Sequence, residues 1–124
     1  MSQKPLRRSR KPVLERAEFL PWIDEQRWDA PLPTVPDKVS VIIPAHNCFS
    51  TLVYALKSCV WQTQRPDEVV IVDDGSTDKT EVLLENLAWI GLPVVVARHD
   101  LNRGAAAARN TAIRHATGEF VIFL

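Results

Sequence analysis

Between residue 38 and the last residue of the chain, short apolar runs alternate with longer stretches whose apolar positions recur at helical spacing. Residues 39–44 form a run of the kind shown by a strand buried on both faces. Residues 50–62 place Leu52, Ala55, Leu56, Cys59 and Val60 on one face, which predicts a helix ended by the turn at Arg65 and Pro66. Residues 68–73 predict a second strand. A second helix is expected over 77–89, with Asp78 and Glu81 spaced as a capping pair and Gly91 closing it. Residues 92–98 predict a third strand. Gly104 opens an alanine-rich helix that ends near Thr117 and Gly118, and residues 119–124 predict a fourth strand.

This order, with short connections, implies an α/β fold: a parallel sheet with helices on its faces. Ligands of such sheets bind outside the carboxyl ends of the strands. That rule selects three loops, at 44–47, 73–76 and 102–104, and the polar residues least explained by packing fall in them.

The first 37 residues differ in character. Six of the nine prolines lie in the first 36 residues, and Pro31, Pro33 and Pro36 bar a continuous helix or central strand there. A short helix is expected over 13–26, carrying Leu14, Phe19, Trp22 and Ile23. The chain thus divides into a basic, proline-rich arm (1–37) and a partial α/β domain (38–124).

Composition narrows the function classes only a little. An apolar content of 46% suits one soluble globular unit, and a formal net charge of zero gives no pointer to nucleic acid. The run Lys4, Arg7, Arg8, Arg10 and Lys11 is expected to be a solvated tail. Contact with nucleic acid or anionic lipid is its alternative use, and the latter would place a cytoplasmic protein at the inner face of a membrane. No apolar run follows it, so a secretory leader is not expected. Two cysteines make neither a disulfide framework nor a zinc site; Cys59 is expected in the core, and Cys48 beside the loops is given the same structural role.

Each loop carries its own chemistry. Asp73 and Asp74 are adjacent carboxylates that repel and need partners, and one of them can accept a base N–H or hold a metal or a ribose hydroxyl. Gly75 permits a sharp turn. Arg103 and Gly104 precede a helix whose free N–H groups and positive end suit a phosphate, with Arg109 and Asn110 one turn further on. Pro44, His46 and Asn47 complete the set; the His46 ring can stack on a flat base or donate to a phosphate. His99 and His115 are given no functional role. Neither a Gly-x-Gly-x-x-Gly nor a Gly-x-x-x-x-Gly-Lys motif is present, which argues against a dinucleotide dehydrogenase and a P-loop hydrolase.

Taken together, Val39-Ser-Val-Ile-Ile-Pro-Ala-His-Asn47, Val70-Ile-Val-Asp-Asp-Gly-Ser-Thr-Asp78 and Asn102-Arg-Gly-Ala-Ala-Ala-Ala-Arg-Asn110 resemble family-two glycosyltransferases in content, order and spacing. Gly118-Glu-Phe-Val-Ile-Phe-Leu124 resembles the strand that follows in that family. The resemblance implies the GT-A fold and transfer of a sugar from a nucleotide donor, with inversion. It implies that Pro44, His46 and Asn47 flank the nucleoside and that Asp74 bonds the base of a UDP-sugar. Asp73 would support the ribose or the geometry of the loop that Gly75 turns, and Arg103, Gly104, Arg109 and Asn110 would border ribose and diphosphate. Histidine at 46 departs from the family's usual tyrosine. The family's Asp-x-Asp ligands for Mg2+ or Mn2+ and its catalytic base have no counterpart in residues 1–124. The chain alone is therefore expected to bind nucleotide sugar weakly or not at all, and to catalyse no transfer. A non-catalytic nucleotide- or protein-binding module is the alternative.

Overall fold

Val69, Val70, Ile71 and Val72 are four consecutive residues with no solvent exposure at all, so the strand that holds them is covered on both faces. The rest of the sheet is arranged about it. The computed structural model describes Arg7–Arg8 and residues 34–124; the helix expected over 13–26 lies outside the described residues. In chain order the elements are β1 (Arg7–Arg8), β2 (Val35–Ala45), α1 (Phe49–Val60), β3 (Glu68–Asp74), α2 (Thr80–Leu84), a 3-10 turn (Ala88–Ile90), β4 (Val94–His99), α3 (Ala105–His115) and β5 (Gly118–Phe123).

The strands lie in the order β1-β4-β3-β2-β5. The four from β2 to β5 are parallel, as expected, and β1 adds a short antiparallel edge on β4, so Arg7 and Arg8 of the basic run pair with the sheet where a solvated tail was expected. From β2 the chain steps through β3 to β4, then returns through α3 to lay β5 on the other side of β2. Crossovers of one hand therefore place α1 and α2 on one face and α3 on the other. Val41, Ile43, Val69, Ile71 and Val96 pack with Leu52, Leu56 and Leu84 on the first face. Ile42, Val70, Val72, Val95 and Ala97 pack with Ala108 and Ala112 on the second. The alternation is the two-residue period of a strand. The small residues of α3 let it lie close to the sheet.

The second helix is shorter than its apolar spacing predicts. Only Thr80–Leu84 is α-helical, and the expected capping pair does not form: Asp78 accepts the N–H of Thr80 at 2.9 Å, while Glu81 pairs with Arg98. β2 begins four residues before the expected strand, and its pairing with β5 is irregular between Val35 and Val39. Pro44 is tolerated in this central strand for a reason of register. The Ile42 carbonyl accepts the N–H of Leu124 from the β5 side. Two residues on, the missing N–H of Pro44 faces that same side, beyond the last pair between β2 and β5.

At the amino ends of the strands a buried carboxylate ties the sheet together. Glu68 Oε1 accepts the Ser40 hydroxyl at 2.5 Å and both the N–H and the hydroxyl of Thr117 at 2.5 and 2.9 Å. Lys38 Nζ stands 3.9 Å from the other oxygen. Burial alone would push the Glu68 carboxyl up, but these donors outweigh it and hold it below its ordinary value. A side chain at Gly118 would overlap Ser40 Oγ at 2.5 Å and the Lys38 carbonyl at 2.7 Å, so only glycine fits where β5 begins.

β5 leaves Phe120, Ile122, Phe123 and Leu124 about half exposed. A cavity of about 540 Å3 runs beside it on the α1 face, lined by Val39, Val41, Cys59, Pro66, Ile122 and Leu124 among others. It is separate from the three loops selected above.

Candidate functional site

The carboxyl ends of β2, β3 and β4 are Ala45, Asp74 and His99, and β3 pairs in register with both neighbours: Ala45 with Asp73, and Asp74 with His99. The loops that leave these three positions therefore start at one level. They are then sewn to one another by side chains.

Asp73 and Asp74 do not face each other. Successive residues of a strand point to opposite faces, so Asp73 turns toward α2 and Asp74 toward α3, and the repulsion expected between them is relieved by direction. Each meets its own partners. Asp73 accepts the N–H of Ser76 at 3.0 Å, and its other oxygen lies 3.9 Å from Arg98 Nε. Asp74 accepts the N–H groups of Arg103 and Gly104, both at 2.8 Å, and meets His99 Nδ1 at 2.6 Å. Burial would raise the Asp74 carboxyl; the Arg103 N–H, His99 and the Gly104 N–H together hold it below the ordinary value. Both aspartates are buried, at 4% and 3% exposure, so their oxygens serve the loops from beneath.

Asn47 does the same work between the first two loops. Its φ is +46°, a left-handed conformation that asparagine adopts more readily than most residues. Its side-chain oxygen accepts the N–H of Thr77 at 2.7 Å and of Asp78 at 3.3 Å, while its own N–H reaches Ser76 Oγ at 2.9 Å. Gly75, at φ +70°, brings the second loop against the third: a Cβ there would stand 2.6 Å from the backbone nitrogen of Asn102. His46 touches all three loops. Its Nδ1 lies 2.8 Å from the Asp74 carbonyl, and its Nε2 lies 3.1 Å from the Asn102 amide nitrogen.

Gly104, at φ +94°, is the N-cap of α3. Ala108 N–H is bonded to the Gly104 carbonyl, so the N–H groups of Ala105, Ala106 and Ala107 have no partner within the helix. They open outward beside exposed Arg103, with exposed Arg109 and Asn110 on the following turn. This is a surface suited to an oxyanion. Pro44 is half buried, and His46 and Asn47 are exposed at the lip. The structure thus brings the nine loop and helix residues named from the sequence, and Pro44 behind them, to one end of the sheet.

Two contributors, His99 and Arg98, were not expected from the sequence. His99 is buried, bonded on one side to Asp74 and on the other to Thr111 Oγ1 at 2.9 Å. Arg98, on the opposite face, joins Asp73 to Glu81. Asn102 accepts the Gly104 N–H at 2.9 Å while its amide nitrogen faces His46. His115 is also buried, and its Nδ1 donates to the Thr111 carbonyl at 2.8 Å. Burial pushes both the Cys48 and Cys59 thiols up, which suits a structural role for each.

Among the described residues no group of three or more His, Cys, Asp or Glu side chains could hold a metal ion. The two aspartates of the site diverge and are engaged, Asp73 with the Ser76 N–H and Arg98, Asp74 with the Arg103 and Gly104 N–H groups and the His99 ring. They do not fit the Mg2+ or Mn2+ centre that the resemblance implies for a complete transferase. Likewise, no helix among the described residues is long and apolar enough to cross a membrane.

Residues 40–124 match the family model described as Glycosyl transferase family 2. The chain is 35% identical over 86 residues to the Escherichia coli UDP-Glc:alpha-D-GlcNAc-diphosphoundecaprenol beta-1,3-glucosyltransferase WfaP, covering 69% of this chain and 34% of the relative. It is 33% identical over 90 residues to glycosyltransferase GlyA of Streptococcus pneumoniae, covering 73% of this chain and 13% of the relative. Among solved structures, residues 1–349 of S. aureus TarS in complex with UDP match with a TM-score of 0.63 at 37% identity, covering 70% of this chain and 26% of that one. The mannosyltransferase PcManGT from Pyrobaculum calidifontis, in complex with GDP-Man and Mn2+, matches with a TM-score of 0.55 at 34% identity, over 77% of this chain and 31% of that one. The chain thus spans about a third or less of the length of these proteins. Its sheet and flanking helices are those of the GT-A fold.

Proposed function

The chain belongs to glycosyl transferase family 2, and from that premise we propose that it is the donor-binding half of an inverting transferase, built to hold a nucleoside diphosphate sugar. The observation that carries the proposal is the joining of three loops at the carboxyl ends of β2, β3 and β4. It sets the open N–H groups of Ala105 to Ala107, with Arg103 and Arg109 near them, beside the lip formed by Pro44, His46 and Asn47. The diphosphate lies on the α3 terminus and the arginines, where fixed dipoles and guanidinium groups meet its charge. The nucleoside lies across the first two loops. Asp73 and Asp74 act from below, holding Ser76, Arg103 and Gly104 in the geometry the ligand meets. UDP is the favoured nucleotide, in keeping with the UDP complex of TarS and the UDP-glucose donor in the name of WfaP.

Transfer itself needs a group to deprotonate the acceptor and a way to stabilise the departing diphosphate. We assign neither to residues 34–124: the site's two aspartates are buried and committed to the loops. Calorimetric titration of the protein with UDP, GDP, uridine and orthophosphate tests the binding function. Saturable binding of UDP, at least tenfold tighter than uridine, is expected if the α3 terminus takes the diphosphate; a tenfold ratio corresponds to about 1.4 kcal/mol. Uridine binding as well as UDP would remove the diphosphate from this surface, and tighter binding of GDP would reverse the base assignment.

A further inference from the structure

We propose that His46 is a positioning residue, a neutral imidazole fixed as its Nδ1–H tautomer that braces the three nucleotide-binding loops. The tautomer follows from partners whose roles are set independently. The group 2.8 Å from Nδ1 is the Asp74 backbone carbonyl, which can only accept, so Nδ1 carries the proton. Two side-chain amides stand at Nε2, Asn102 Nδ2 at 3.1 Å and Asn47 Nδ2 at 3.4 Å. Their orientation is not free. The Asn102 oxygen accepts the Gly104 N–H, and the Asn47 oxygen accepts the N–H groups of Thr77 and Asp78. Both amides therefore present N–H to the ring, and Nε2 must be bare to receive them.

One imidazole thus links the loop after β2, to which it belongs, with the end of β3 and the loop after β4. A phenol or phenyl ring has no pair of opposed donor and acceptor atoms and cannot make both links. In this state neither ring nitrogen is left to donate to a phosphate. The reading of His46 as a phosphate donor is replaced by one in which it holds Asn102 over Gly104, at the N-cap of α3. The effect on nucleotide affinity rests on the function proposed above; the tautomer does not.

The experiment is a long-range 1H–15N correlation spectrum of the ligand-free wild-type protein at about pH 8, where an ordinary imidazole is neutral. It is followed by UDP titration of His46→Asn and His46→Phe. The spectrum should show His46 with its proton on Nδ1; a proton on Nε2, or rapid averaging between the nitrogens, would overturn the brace. Asparagine keeps a donor near the position of Nδ1 and should bind UDP within about threefold of wild type, whereas phenylalanine keeps only the flat ring and should bind about tenfold more weakly. The reverse order would make the ring a stacking surface and sink the proposal. If wild-type protein takes up no UDP, the nucleotide reading falls and the spectrum alone decides the brace.

Discussion

Asp74→Ala is expected to destabilise the domain by about 3 kcal/mol and to abolish measurable UDP binding, because it removes the acceptor for three donors at once. The carboxylate is 3% exposed, so the N–H groups of Arg103 and Gly104 and the His99 ring would lose their partner where water has little access. The loop between β4 and α3 would lose its tie to the end of β3. The sign of the pH effect follows from the lowered pKa. The contribution of Asp74 is complete above the ordinary aspartate value of about 4 and is lost as pH falls through the lower folded-state value. Urea melts should therefore show Asp74→Ala less stable than wild type at neutral pH. The two should converge in acid, where wild type has lost the same contribution. A constant gap down to about pH 2 would mean that Asp74 acts through packing and not through its charge.

Gly75→Ala is the second large effect, about 2–4 kcal/mol, and it has an internal control. Gly75 and Gly91 have similar left-handed backbones, with φ of +70° and +65°. A Cβ at Gly91 meets nothing within 4 Å, so Gly91→Ala bears only the conformational cost, about 1 kcal/mol. A Cβ at Gly75 would stand 2.6 Å from the Asn102 nitrogen and 2.7 Å from the Leu101 carbonyl carbon, backbone atoms that cannot move without shifting the loop. Parallel melts of the two variants should show the Gly75 cost at least twice that of Gly91. Equal costs would show that the second and third loops are not in contact in solution.

The parallel sheet was legible because its strands are covered on both faces, which leaves runs such as Val69 to Val72 without a polar residue. The second helix misled for a definite reason. Leu83, Leu84, Leu87 and Ile90 are all buried, and their spacing continues one helical face. Yet Leu87 and Ile90 reach the core from a 3-10 turn, in which residues three apart also share a side. Asn86 marks the break, with its N–H on the Leu83 carbonyl and its side chain on the Val82 carbonyl.

The site was legible as three loops but not as a network. The divergence of Asp73 and Asp74 was available from the strand period alone. His99 was not, because its meeting with Asp74 depends on the register between β3 and β4, which no local pattern reveals. Before the register is known, a polar residue at a strand end is as readily solvated as buried. Arg98 escaped notice for the same reason: its partners, Asp73 and Glu81, come from elements 25 and 17 residues earlier.

The loops at the carboxyl ends of β2, β3 and β4 are proposed to form a nucleoside diphosphate site. The most direct measurement is a two-dimensional 1H–15N spectrum of the protein, assigned and titrated with UDP. Saturable shifts are expected, concentrated at 45–47, 75–77 and 102–107, with the Ala105, Ala106 and Ala107 amides among the largest as they take up the diphosphate. Shifts confined to the cavity beside β5, around Val41, Cys59 and Ile122, or no saturation at millimolar UDP, would contradict it.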